Sequence, residues 1–167
     1  MKKVGIIYGS STGTCETIAN SIAQKLGVDS ADVMNAGEIT VEKVNSYEVL
    51  LLGTSTWGDG EVQDDWYDGL KVLKSADLKG KTIALFGCGD SESYCDTFCD
   101  GIGVLYEDLK DSGCTIVGKV PTDGYNFSSS ISVVEGMFVG LPLDDINEDN
   151  KTEARVDAWL EEIKSDL

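Results

Sequence analysis

Val4-Gly5-Ile6-Ile7-Tyr8-Gly9-Ser10-Ser11-Thr12-Gly13-Thr14-Cys15-Glu16-Thr17-Ile18 carries a strand, a loop and a helix start in direct succession. Val4 to Tyr8 is a short β-type apolar run. Gly9 to Thr14 is a polar loop of small residues. Beyond it Ile18, Ile22 and Leu26, with Ala19 and Ala23, recur at helical spacing. The first N–H groups of a helix have no intrahelical acceptor and attract an anion. Hydroxyls from Ser10, Ser11, Thr12 and Thr14 add donors, and glycines let the backbone come close. No Gly-Lys-Ser/Thr follows, so this is not a triphosphate loop of the Walker type, and it is not Gly-x-Gly-x-x-Gly. A cradle without a cation suits one terminal phosphate monoester. Taken alone, the same residues also read as a turn capping a helix.

Working outward, the alternation continues. Val33 and Met34 suggest a second short strand, and Val49 to Leu52 is an unbroken apolar run, as in a strand covered on both faces. Trp66, Leu70 and Leu73 follow at helical spacing, then Thr82 to Phe86 as another buried strand. Ile102, Leu105, Tyr106 and Leu109 form the next helical stripe, and Thr115 to Val117 a further strand. The last helix is expected to start at Asn150, with Glu153 completing a capping box, and to bury Val156, Leu160 and Ile163 with Trp159 beside them. Pro121 to Ser132 is the one long irregular stretch, after which a strand-like region resumes near Met137 to Leu141. The pattern predicts one α/β domain over residues 1–167, with a parallel sheet covered by helices on both faces. In such sheets ligands sit beyond the carboxyl ends of the strands, where strand order reverses.

Composition narrows the chemistry. Histidine is absent, which argues against triad hydrolases and most zinc enzymes. Five cysteines without Cys-x-x-Cys spacing read as reduced thiols filling apolar space, not as a metal site. No apolar run is long enough to span a membrane, and the short run after Met1-Lys2-Lys3 is no signal peptide, so a cytoplasmic protein starting at Met1 is expected. The net charge of −17 repels nucleic acid and anionic membrane and favours partners with basic faces, although it also serves solubility alone. Asp145 to Asn150 resembles a calcium loop only briefly, lacking glycine at its sixth position and having Val156 at its twelfth.

Two further strand-following loops carry aromatics. Thr54-Ser55-Thr56-Trp57-Gly58-Asp59-Gly60-Glu61 holds Trp57, and Phe86-Gly87-Cys88-Gly89-Asp90-Ser91-Glu92-Ser93-Tyr94 holds Tyr94. Either aromatic alone is as well explained by packing. Together with the first loop they place two flat faces and an anion cradle on one sheet edge.

With these motifs, and with Asp123-Gly124-Tyr125 and Phe138-Val139-Gly140-Leu141, the sequence resembles a flavodoxin of the long-chain type over nearly its whole length. The resemblance implies a doubly wound five-stranded parallel sheet of order 2-1-3-4-5, its last strand split by an insertion. It implies non-covalently bound flavin mononucleotide (FMN) as cofactor, with Ser10, Ser11, Thr12, Gly13, Thr14 and Cys15 on the phosphate. Trp57 and Tyr94 would sandwich the ring, and backbone groups of Thr56, Gly58, Gly60, Cys88, Gly89 and Asp90 would touch the ribityl chain or ring edge. Cys15 stands where the family usually has threonine, so one weaker phosphate bond and modestly weaker FMN binding are expected.

The implied function is that of a monomeric, low-potential one-electron carrier, not an enzyme. It would shuttle electrons between redox enzymes through the semiquinone/hydroquinone couple. The acidic run Asp59, Glu61, Asp64, Asp65 and Asp68 either disfavours the anionic hydroquinone, or docks partners, or is a solvated helix face. An FMN-dependent quinone or NAD(P)H reductase on the same fold is the alternative. A flavin-free receiver domain would need carboxylates after the first strand, where hydroxyls stand here.

Overall fold

The computed structural model describes residues 2–167. Its main sheet is built from β1 (Val4–Gly9), β2 (Val33–Asn35), β3 (Val49–Trp57), β4 (Glu61–Val62), β5 (Thr82–Cys88), β6 (Thr115–Val117) and, later in the chain, β10 (Leu141–Leu143). The parallel order is β2-β1-β3-β5, and both β6 and β10 pair with the far side of β5. The fifth position is thus one strand in two pieces, as the resemblance implied. Between the pieces, β7 (Val120–Pro121), β8 (Val133–Val134) and β9 (Met137–Phe138) form a separate three-stranded sheet in the order β7-β9-β8. The expected strand over 137–141 is therefore two strands in two sheets. Phe138 faces an aromatic cluster with Phe98, Tyr125 and Phe127, while Leu141 rejoins the main sheet beside Phe86.

Side-chain alternation sorts the strands onto two cores. Val4, Ile6, Val49, Leu51, Ala84 and Phe86 point to one face, where α1 (Thr14–Leu26) and α5 (Asp149–Ile163) supply Ile18, Ile22, Val156, Trp159 and Leu160. Ile7, Leu50, Leu52, Ile83 and Leu85 point to the other, against α2 (Val41–Asn45), α3 (Asp65–Ser75) and α4 (Asp100–Leu109). Leu50, Leu51 and Leu52 are fully buried, so truncating any one to alanine costs about 2–5 kcal/mol. Trp159 donates its indole N–H to the Gly118 carbonyl at 2.9 Å and meets Phe86 edge-on, pinning α5 to the sheet.

Two sequence expectations differ at element ends. The last helix starts at Asp149, and Glu148 at its N-cap makes no side-chain cap; the Asn150–Glu153 capping box does not form. Glu148 instead pairs with Lys151 and Arg155. Trp57 closes β3 instead of sitting on a loop tip, because the strand runs on past Leu52 to pair antiparallel with β4.

Register decides where the loops meet. Gly9 lies opposite Thr54, Thr54 and Ser55 opposite Gly87 and Cys88, and Cys88 opposite Leu143. The carboxyl ends of β1, β3, β5 and β10 are level, so the loops that follow them share one edge. Strand order reverses between β1 and β3, which places the crevice there.

Candidate functional site

The loop after β1 is an anion cradle by construction. Gly13, the N-cap of α1, has φ +92° and no side chain to cap the helix. The first helical backbone bond runs from Thr17 N–H to the Gly13 carbonyl, so the N–H groups of Thr14, Cys15 and Glu16 have no intrahelical acceptor. Ser10 Oγ accepts the Gly13 N–H at 3.1 Å and shapes the loop, and Ser11 Oγ accepts from Gln63 Nε2 at 3.0 Å, tying the loop to the segment after β4. Cys15 is wholly buried: its thiol lies in the core against Cys88, and the hydrogen bond with that neighbour, together with burial, pushes its pKa well up. The thiol does not line the cradle, so the part of the sequence expectation that rests on thiol donation is not met. What Cys15 offers from this position is its backbone N–H.

A cavity of about 190 Å³ lies beside the cradle, with Trp57 and Tyr94 on its walls. Its other lining residues are Thr12, Thr14, Ser55, Thr56, Gly58, Cys88, Gly89, Asp90, Thr97, Asp145 and Ile146. Trp57 and Tyr94 are 42% and 58% exposed, unusual for large aromatics with no partner ring of their own. A second cavity of about 580 Å³ follows α1 outward and shares Thr12, Thr14 and Asp145 with the first. One trough thus runs from the α1 N-terminus to the aromatic pair.

Each wall is held from behind. The Trp57 indole N–H donates to Ser55 Oγ at 2.7 Å, and the Gly60 N–H to the Trp57 carbonyl at 3.1 Å, closing a turn in which Gly58 takes φ +55°. The Tyr94 wall rests on Asp90. Its Oδ1 accepts the N–H groups of Glu92 and Ser93 and the Asn147 side-chain amide, the last at 2.8 Å. Partial burial pushes the Asp90 pKa up, but these donors outweigh it and hold the carboxyl below the usual range. Asn147 also donates to the fully buried Asp144, which in turn accepts the Ser91 N–H and hydroxyl. The loops after β5 and β10 are thereby braced to each other.

Of the residues expected from sequence, Thr12, Thr14, Thr56, Trp57, Gly58, Cys88, Gly89, Asp90 and Tyr94 meet in the 190 Å³ cavity, and Gly13 joins the adjoining one. Ser10 and Ser11 order the cradle from its side. Gly60 is buried behind the turn instead of lining the trough. Ser55, Thr97, Asp145, Ile146 and the brace residue Asn147 were not expected. Asp145 and Ile146 follow the carboxyl end of β10, so the positional rule that found the other loops also reaches them. Of the acidic run, none lines the trough: Asp64 and Asp65 start α3, where carboxylates complement the helix dipole, and Asp65 bonds Asn35. Among the described residues there is no cluster of three metal-ligating side chains, and no helix is long and apolar enough to cross a membrane.

The geometry defines a class: a doubly wound α/β protein whose switch-point trough offers stacking faces at one end and unpaired N–H groups at the other. The sequence profile described as Flavodoxin matches residues 6–159, and the chain belongs to the flavodoxin family. It is 44% identical to Flavodoxin 1 of Azotobacter vinelandii over 171 aligned residues, covering 100% of this chain and 98% of that protein. It is 42% identical to Flavodoxin 1 of Escherichia coli strain K12, covering 100% and 96%. In three dimensions it is similar to the crystal structure of Fusobacterium nucleatum flavodoxin bound to flavin mononucleotide, with a TM-score of 0.91, 34% identity and coverage of 100% and 99%. Flavodoxins are electron-transfer proteins that serve redox partner proteins, and this membership sets the reductase alternative aside.

Proposed function

We infer that this chain is an electron carrier that holds one FMN, non-covalently, in the trough between the start of α1 and the Trp57–Tyr94 pair. One observation carries the reading: two half-exposed aromatics flank a trough that ends at an uncapped helix N-terminus lined with hydroxyls. A planar ring bearing a single phosphate satisfies both ends. The backbone N–H groups of Thr14, Cys15 and Glu16, with the hydroxyls of Thr12 and Thr14, are the proposed phosphate donors. Trp57 and Tyr94 are the proposed ring platforms, and backbone groups of Thr56, Gly58, Cys88, Gly89 and Asp90 the proposed edge contacts. When bound, the flavin supplies one-electron chemistry; the protein binds it, limits water and sets its electrostatics. Asp90 and Asp145 put carboxylates on the trough wall, where they disfavour added negative charge.

The finer points rest on the surface and the thiols. Asp59, Glu61, Asp64, Asp68, Glu92 and Asp96 are exposed on the stretch from the end of β3 through β4 to the start of α3 and on the loop after β5, which suits partners with basic faces. The same acidic excess opposes self-association and fits a monomer. All five cysteines are free, in keeping with a reducing, cytoplasmic setting. Two buried cores on one continuous sheet fit a single domain spanning residues 1–167.

The decisive experiment titrates apoprotein with FMN and with riboflavin, following quenching of flavin fluorescence. Charge-assisted bonds from the cradle make FMN bind roughly a hundredfold more tightly than riboflavin. Equal affinities, or no uptake of FMN in large excess, would reject the reading.

A further inference from the structure

The insertion between β6 and β10 is latched to the chain that follows Tyr94. The N–H groups of Ser128 and Ser129 donate to the Cys95 carbonyl at 2.8 and 3.0 Å, and the Ser130 hydroxyl to the Phe98 carbonyl at 2.6 Å. Ser132, fully buried, donates its hydroxyl to the Cys99 carbonyl at 2.6 Å and accepts the Gly103 N–H at 2.8 Å. The latch ends beside a carboxylate. Asp100, at the first turn of α4 and only 4% exposed, accepts the Ile131 N–H on Oδ1 at 2.9 Å. Its other oxygen faces the cofactor turn: a Cβ at Gly60 would stand 2.6 Å from Oδ2 and 3.0 Å from the Asp100 Cβ. Asp100 therefore fills the space that any side chain at position 60 would need. The next residue, Gly101, donates its N–H to Thr56 Oγ1 at 3.0 Å, fixing the end of β3 against the same helix.

A turn with glycines at 58 and 60 has little stiffness of its own, since both sit at positive φ and lack Cβ. Its position must come from what stands behind it. Asp100 is in contact with the turn on one side and with the insertion on the other, and it does not line the trough. We propose that Asp100 is a positioning residue: clamped by the Ile131 N–H, its buried side chain sets the placement of Gly58–Gly60 against the bound ring and so couples the insertion to the cofactor. The proposal rests on the FMN reading above.

The test uses the holoprotein, after wild-type uptake of FMN has been established independently. Asp100→Ala removes both contacts. Asp100→Asn keeps the shape and one acceptor oxygen. Ile131→Pro, at an exposed residue, removes the N–H donor while leaving the Asp100 carboxylate in place; it also replaces the side chain that packs beside Gly103 and restricts Ser130. FMN dissociation constants and both one-electron potentials are measured for each. Asp100→Ala is expected to weaken oxidised and reduced FMN unequally, by a ratio of roughly tenfold, which reads as a shift of about 59 mV in a one-electron step. Asp100→Asn stays within about threefold of wild type. Ile131→Pro shifts the potential in the same direction as Asp100→Ala, and adding it to Asp100→Ala produces no further change. Unchanged potentials in Asp100→Ala, equal impairment in Asp100→Asn, or additive effects in the double variant would each overturn the proposal. If Asp100→Ala does not fold, Ile131→Pro decides alone, and a wild-type potential there overturns it.

Discussion

Gly58 sits at φ +55°, where an L-residue is strained, and a Cβ built there would meet only the Glu61 carboxyl at 3.5 Å, an ordinary contact. The cost of Gly58→Ala is therefore a backbone cost of about 1 kcal/mol, without a steric clash. The resemblance to flavodoxins implies that the peptide after Trp57 would turn on reduction of a bound flavin and offer its carbonyl as an acceptor to the ring edge. Alanine restricts that turn, so Gly58→Ala is expected to lower the fraction of one-electron-reduced FMN in a stepwise redox titration followed by absorbance. An unchanged fraction would remove Gly58 from any part in separating the two electron steps. Trp57 and Tyr94 were legible in the sequence only together with the first loop, since either aromatic alone reads equally as packing, whereas two of them and an anion cradle fall on one sheet edge. Asp100 and Asn147 were not, since each acquires its role from a partner far along the chain, Ile131 for the one and Asp90 for the other.

At the level of elements, the hairpin β8–β9 shows what local reading missed. Val134 pairs with Met137, leaving Glu135 and Gly136 as a two-residue loop with φ +53° and +85°. Two successive positive φ values mark a type I′ turn, in which Asn-Gly is the favoured pair. Glu135 pays the left-handed strain, and the turn therefore carried no recognisable sequence signal. Glu135→Asn should stabilise the protein by about 1 kcal/mol, measured as a higher urea midpoint with an unchanged slope. A lower midpoint would show that Glu135 makes a compensating contact. The parallel strands and main helices were legible for the opposite reason, since period-2 and period-3.6 burial is imposed along their whole length by two cores. Element ends were less so. The Asn150–Glu153 capping pair is present in sequence, but Glu148 is held by Lys151 and Arg155 and serves as N-cap two residues earlier than Asn150.

Over the whole molecule, 30 acidic residues against 13 basic ones make the folded state repel itself at neutral pH. Individual carboxyls modify this in opposite senses. Burial raises the Asp100 pKa in the fold, so the folded protein takes up a proton there more readily than the unfolded chain, and stability rises as pH falls through that raised value. Asp90 and Glu148 are held low, Asp90 by donors that outweigh its burial and Glu148 first by Lys151 and then by Arg155. Their contribution is complete above the ordinary carboxylate range of roughly 4 and is lost as pH falls through their depressed values. With no histidine to titrate, the melting temperature at low salt is expected to change little between pH ~7.5 and ~5.5 and to fall below about pH 4, where Asp90 and Glu148 take up protons. Added salt should raise the value at pH ~7.5, because screening over about 10 Å at 0.1 M relieves this repulsion. A melting temperature at pH ~7.5 that ignores salt would mean that the acidic surface is too dispersed to strain the fold. Its function would then lie wholly in steering partners, a role whose signature is a fall in electron-transfer rate to basic proteins as ionic strength rises.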